Sequence, residues 1–204
     1  MASRGLTGIL LVGGASSRFG SPKALARLEG ETLAERGWKL LQATCDETIA
    51  VGKAADELPL PFPLVDDASA VRAPLAGLVA GLRAAGHELC VALPVDVPLL
   101  SPRSVRALVA ACADAAVPQT GPLPGAYRKT SLAVLERRLA RGDLALRDAL
   151  EELETRVVEL DPAELYNVNT PADLPYPSAT TRSRSAPVPT SETSTSSSRS
   201  TRST

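Results

Sequence analysis

GLTGILLVGGASSRFGSPK occupies residues 5–23. From Leu6 to Val12 the side chains are almost all apolar, without the polar alternation of a half-exposed strand. The run then stops at Gly13 and Gly14. A short, unbroken apolar run closed by glycine predicts a strand buried on both faces, and such a strand needs helices above and below it. The remaining chain supplies them in alternation. ETLAERGWKLLQAT (31–44) places Leu33, Trp38, Leu40 and Leu41 near helical spacing, ETIAVG (47–52) reads as a second strand, and FPLVDD (62–67) as a short third strand ending in two acids. PLAGLVAGLRAAG (74–86) is a helix with proline in its first turn and glycine at its stop. ELCVALPVD (88–96) is the most apolar strand and is expected at the sheet centre. At 101–114, Ser101 is the expected N-cap and Pro102 the first helical residue. Further on come a short strand (115–119), an exposed β segment (124–129), two amphipathic helices (130–142 and 144–154), a last strand (155–160), and a short helix before YNVNTPADL (166–174). The order predicts an α/β protein: a Rossmann-like three-layer sandwich, with a mostly parallel sheet and helices on both faces.

Composition bounds what this domain does. The 204 residues carry a net charge of −1, so no global field draws them to nucleic acid. No run is apolar for long enough to span a bilayer, and the apolar stretch before Gly13 is too short for a secretion signal. A cytoplasmic location is expected. Residues 176–204 are Ser, Thr, Arg and Pro with almost nothing to bury, which predicts a disordered tail after one domain at 1–175. Cys45, Cys90 and Cys112 lie far apart with no Cys-x-x-Cys pair, so they read as small core residues rather than a disulfide framework or zinc site. His87 follows the glycine that ends a helix and reads as a loop residue.

Parallel sheets bind ligands beyond the carboxyl ends of their strands. That rule places the Gly13–Gly14 loop, Asp66 and Asp67, and Asp96 on one edge, hence in one site. Glycines in succession permit a sharp turn whose N–H groups form a concave anion site; Arg18 and Lys23 add charge, and Ser16 and Ser17 add donors. Phosphate suits this assembly. The spacing matches neither the Walker A loop nor the dinucleotide fingerprint, and glycines alone would fit an ordinary βα turn; the two cations favour the anion site. Asp96, flanked by Val95 and Val97 at the end of a buried strand, is costly to bury unless it meets a cation. Beside phosphates the natural candidate is Mg²⁺. An exposed loop aspartate is the plainer alternative, although Ser101 is better placed to cap the helix that follows. Gly77 comes to the same edge in the first turn of a helix. Asn167 and Asn169 suit either a ligand or a turn.

Together LVGGASSRFGSPK, PLAGL, VDVP and NVNTPADL resemble the nucleotidyltransferases that complete the molybdenum cofactor, most closely the MobA-like guanylyltransferases. The resemblance spans residues 6–174 and rests on the glycine loop with its lysine, the Asp-x-Pro and the Asn-x-Asn-Thr-Pro in combination. It implies that GTP is contacted by Leu11, Gly13, Gly14, Ser16, Arg18, Lys23, Asp67, Gly77 and Asp96, with Asp67 on guanine or its sugar. It implies Mg²⁺ on Asp96 and Asn169, catalytic roles for Lys23, Arg18 and Asp96, and molybdopterin or the molybdenum cofactor as the acceptor of GMP. Proteins of cofactor biosynthesis are the implied macromolecular partners. Ser21-Pro22 stands before the lysine where that family usually has an aspartate, and Ala73 stands where it usually has glycine. A CTP-dependent relative, another nucleotide transferase and a non-catalytic GTP-binding module are the alternatives.

Overall fold

The structure, a computed structural model, describes residues 5–13 and 22–174. The expected tail at 176–204 lies outside the described residues, as do Gly14, Ser16 and Arg18.

The first strand, β1 (Leu6–Leu11), has buried side chains on both faces, as its unbroken apolar run requires. Alternation sends Leu10 into one core, with helix α1 (Leu33–Gln42) and helix α3 (Pro102–Ala111). Ile9 and Leu11 face the other, with α2 (Pro74–Ala84), α4 (Leu132–Arg141) and α5 (Leu146–Leu150). These are the three layers expected. In α2 the buried stripe is Leu75, Leu78, Val79 and Leu82; each such side chain contributes about 1.5–3 kcal/mol relative to exposure.

Among the described residues the main sheet has seven strands. It places β4 (Glu47–Gly52), β5 (Leu64–Asp66), β6 (Leu89–Pro94), β7 (Ala115–Pro118), β8 (Gly125–Arg128) and β9 (Thr155–Val158) in the order β5-β4-β1-β6-β8-β7-β9. The apolar strand β6 is central, as expected. Every neighbouring pair is parallel except those made by β8, which runs antiparallel to both β6 and β7.

Two elements differ from the sequence reading. The segment around residue 126 was expected to be exposed, yet β8 is interior: it is bonded on both sides, and Ala126 and Tyr127 are fully buried. Glycine, proline and basic residues around it mask a core of only two side chains, so the segment reads as surface. The helix expected after the last strand is a set of turns around residue 163, held when Glu164 accepts hydrogen bonds from the Ser104 hydroxyl (2.6 Å) and the Ser101 N–H (2.9 Å). Before α1 stands a small antiparallel pair, β2 (Arg27–Leu28) with β3 (Glu31–Thr32). Thr32 and Glu35 form a reciprocal capping box that starts α1. Ser101 caps α3 as predicted.

The three cysteines are free; Cys90 and Cys112 are buried and Cys45 is half-buried. His87 lies in the predicted loop, at the amino ends of the strands. There Nδ1 sits 2.9 Å from the buried Thr7 hydroxyl, which donates to Glu47 at 2.5 Å.

Candidate active site

Consecutive parallel strands β5, β4, β1 and β6 end on one edge, at Asp66, Gly52, Leu11 and Pro94. Neighbouring strands lie about 4.8 Å apart, so the row from β5 to β6 spans roughly 14 Å. At its middle β1 and β4 pass glycine to glycine: a Cβ on Gly13 would lie 3.6 Å from the Gly52 Cα, and one on Gly52 would come within 2.8 Å of Val12 Cγ2. β1 and β4 thus pack backbone to backbone at this edge, and Gly13 is exposed.

On the β6 side three distant segments converge. The Lys23 ammonium lies 3.2 Å from Asp96 Oδ2 and 3.3 Å from Asn169 Oδ1. Asp96 sits two residues beyond β6, pinned by the buried Val95 and Val97 on either side. Its own backbone carbonyl accepts the Val168 N–H at 2.8 Å. Val168 is completely buried, so the residues that flank it are held at the surface, and Asn169 faces Lys23. Thr170 and Asp173 then form a second capping box. Asp173 accepts the N–H groups of Asn169 and Thr170, and these bonds hold its carboxyl below the usual aspartate range. Asp173 was not singled out from the sequence, although Thr-x-x-Asp is the signature of such a box. Two hard oxygens aimed at one ammonium are a cation-seeking pair, and one carboxylate plus an amide oxygen suits Mg²⁺ that takes its other ligands from phosphate and water.

On the β5 side, Asp67 continues the row: its N–H donates to the Gly52 carbonyl at 2.8 Å. Its carboxylate is nearly buried against Lys53, whose ammonium lies 2.7 Å from Oδ1 and 2.5 Å from the Ser69 carbonyl. Sequence reasoning missed Lys53, although it directly follows the strand 47–52 at the edge where Asp67 was placed. Leu11 and Gly77 meet each other: the Leu11 side chain is buried, and a Cβ on Gly77 would lie 3.2 Å from its Cδ2. The Leu11 carbonyl accepts the Val95 N–H at 3.3 Å. Leu11 and Gly77 thus pack α2 on β1.

Beside Asp96, a cavity of about 660 Å³ opens between α2, the loop that joins β7 to β8, and the residue 165–167 segment. Pro74, Asp96, Thr120, Pro122, Leu146 and Asn167 line it. The loop is braced by the Tyr127 hydroxyl, which donates to the Pro122 carbonyl at 2.6 Å, and by Arg147, which donates to the Thr120 carbonyl at 3.2 Å. Arg137 and Arg138 are paired with Glu152 instead.

Neither a thiol nor an imidazole serves this site. Burial pushes the Cys90 thiol up to about 12 and the Cys112 thiol up to about 11, and His87 is at the opposite end of the sheet. What the edge offers is a cation, oxygen ligands and exposed backbone beside a cavity. These suit charge neutralisation and positioning of bound groups rather than covalent catalysis.

Known proteins are similar to this chain in sequence and fold. The family of the MobA-like NTP transferase domain matches residues 8–157. A probable molybdenum cofactor guanylyltransferase from Chloroflexus aggregans is 34% identical over 190 residues, covering 83% of this chain and 91% of that protein. The molybdenum cofactor guanylyltransferase of Burkholderia lata is 37% identical over 195 residues, covering 85% and 95%. Among solved structures, the molybdopterin-guanine dinucleotide biosynthesis protein A of Archaeoglobus fulgidus superposes with a TM-score of 0.70 at 25% identity, over 82% of this chain and 94% of that one. With the fold, the glycine edge and these relatives in agreement, the chain belongs to the MobA-like NTP transferase family and is a nucleotidyltransferase.

Proposed function

We propose that the protein transfers GMP from GTP to molybdopterin or its molybdenum-bearing form, with Mg²⁺, and releases pyrophosphate. The observation that carries this reading is the meeting of Lys23, Asp96 and Asn169, residues far apart in the chain, at 3.2 and 3.3 Å. Gly13 is exposed at the same sheet edge, and the cavity that Asp96 lines adjoins them. Relatives at 34% and 37% identity carry the guanylyltransferase name.

The triphosphate lies along the glycine edge, with its base toward Asp67 and its phosphates toward Gly13 and Lys23. The acceptor occupies the cavity, where proline and leucine side chains suit a flat ring system. A terminal phosphate oxygen of the acceptor attacks the α-phosphorus of GTP. The new O–P bond forms as the bond from the α-phosphorus to the bridging oxygen breaks, and pyrophosphate leaves with that electron pair. Neither partner needs a protein nucleophile, so the chain's work is to align two phosphates that repel each other and to offset their charge. Lys23 supplies a fixed positive charge to the transferred group. Asp96 and Asn169 would hold Mg²⁺, which when bound supplies further charge neutralisation at the phosphates. Arg18 and Ser16 belong to the same phosphate-binding loop in this reading.

Incubating the full chain with α-labelled GTP, Mg²⁺ and molybdopterin tests it. The expected result is pyrophosphate release with label on the acceptor. GTP binding without pyrophosphate would replace the enzyme by a nucleotide-binding module, and turnover with CTP in preference to GTP would move the chain to the cytidylyl reaction.

A further inference from the structure

We propose that Lys53 is a positioning residue that fixes the Asp67 carboxylate for base selection; the proposal rests on the reading of the β5 end of the edge as the base site. Lys53 and Asp67 leave the carboxyl ends of neighbouring strands, β4 and β5, and are 12% and 8% exposed. The ammonium touches Asp67 Oδ1 at 2.7 Å and the Ser69 carbonyl at 2.5 Å. The Ser69 N–H returns to the same Oδ1 at 3.0 Å. These bonds close a ring that ties the loop after β5 to the end of β4. Both bonds to the carboxylate fall on Oδ1, and among the described residues Oδ2 has no hydrogen bond. The carboxylate is thus clamped by one oxygen with the other kept as an acceptor. Asp66 and Arg72 hold the loop from outside, through Ala54 and Asp56. The loop therefore stays tethered when Lys53 is removed, while the carboxylate loses its clamp.

A buried ion pair adds little net stability, because desolvation offsets most of its attraction. Its consequence here is geometric and chemical. A carboxylate only accepts hydrogen bonds. Guanine carries adjacent N–H donors on its pairing edge, at N1 and the N2 amine, whereas cytosine presents acceptors beside a single amine. A carboxylate held through Oδ1 therefore keeps Oδ2 as an acceptor for the paired donors of guanine, and one free to rotate discriminates less.

The test compares full-length wild type with Lys53→Met and Lys53→Gln, and reads pyrophosphate release with GTP or CTP, Mg²⁺ and molybdopterin. Loss of one charge-assisted clamp is expected to raise KM for GTP about tenfold and to lower the GTP:CTP ratio of kcat/KM by a similar factor. The fall in kcat is expected to stay within about threefold, with KM for the acceptor unmoved, because interactions lost in the ground state and transition state alike act on KM. A change in KM for GTP below about twofold, or equal weakening toward both nucleotides, would overturn the proposal. If Lys53→Met fails to fold, Lys53→Gln, which keeps a donor for the Ser69 carbonyl without the charge, is judged by the same two outcomes. Wild type that prefers CTP would refute the guanylyl reading by itself, before any variant is compared.

Discussion

Replacing Lys23 by methionine keeps the length of the apolar stem and deletes the ammonium. At the observed 3.2 Å from Asp96, an effective dielectric near 20 gives a gross attraction of about 5 kcal/mol. Most of that is offset by the desolvation of two groups that are 17% and 26% exposed, and partly exposed pairs of this kind are worth about 0–1 kcal/mol net. The variant should therefore fold, with a melting temperature within about 2–4 °C of wild type. Catalysis should respond quite differently. In the resting protein the ammonium is shared by Asp96 and Asn169. In the proposed transfer it faces the group on which negative charge grows. A preorganised donor of this kind contributes about 2.7–4 kcal/mol to the transition state, so kcat should fall by about 10²–10³-fold. Because the interaction strengthens only as charge develops, kcat and kcat/KM should fall together. Pyrophosphate release at saturating GTP and acceptor, beside a thermal melt of the same sample, separates the two effects. A loss of activity under about threefold, or one that merely tracks a collapsed melting temperature, would refute the reasoning.

Asp96→Asn keeps the shape of the strand end but removes the charge that would hold Mg²⁺; the fold should survive and pyrophosphate release should disappear, and normal turnover in that assay would remove Asp96 from the site. Glu47 is held below its ordinary value of 4.5, first by the Thr7 hydroxyl and, against the opposing effect of burial, also by the Gly86 N–H. Its stabilisation is therefore complete above pH 4.5 and lost as pH falls through the lowered value; Glu47→Gln should flatten the acid limb of melting temperature against pH below 4.5 and leave activity near neutrality intact. Gly125→Ala would put a Cβ 2.6 Å from the Pro122 carbonyl oxygen and 2.8 Å from the Tyr127 ring, which should cost about 1–3 kcal/mol in urea unfolding.

The sheet was legible because β1 and β6 are nearly unbroken apolar runs, and the candidate site because one runs into a glycine pair and the other into an aspartate among valines. Strand ends in a parallel sheet share an edge, so a one-dimensional pattern became a two-dimensional row. β8 was misjudged for the converse reason. Its burial comes from two neighbours, β6 and β7, that the pattern of a four-residue segment does not encode. Lys53 was passed over because a lysine after a strand is ordinary in sequence. Only the 2.7 Å contact with Asp67 makes it unusual. Asp173 was missed although its signal was present, since Asn167 and Asn169 drew attention to side chains suited to a ligand rather than to the cap that orients them.

The reversal of β8 also explains why the cavity adjoins Asp96 at all. In an all-parallel sheet the neighbour of β6 would end beside it and send its chain away over a face of the sheet. Here β7 ends at the carboxyl edge at Pro118, and β8 starts back from that edge at Gly125. The connecting loop therefore has nowhere to stand except on the edge itself. β8 lies between β6 and β7, so the loop rises one strand from Asp96 and becomes the outer wall of the cavity. α2 and the segment before Asn167 close the other sides. A strand inserted backwards thus divides the edge in two, the ends of β5, β4 and β1 on one side and the cavity past β6 on the other. Lys23, Asp96 and Asn169 stand at the boundary between them. The proposed transfer between two phosphate-bearing substrates would use that division, since each must be bound separately and their phosphates must still meet at one cation.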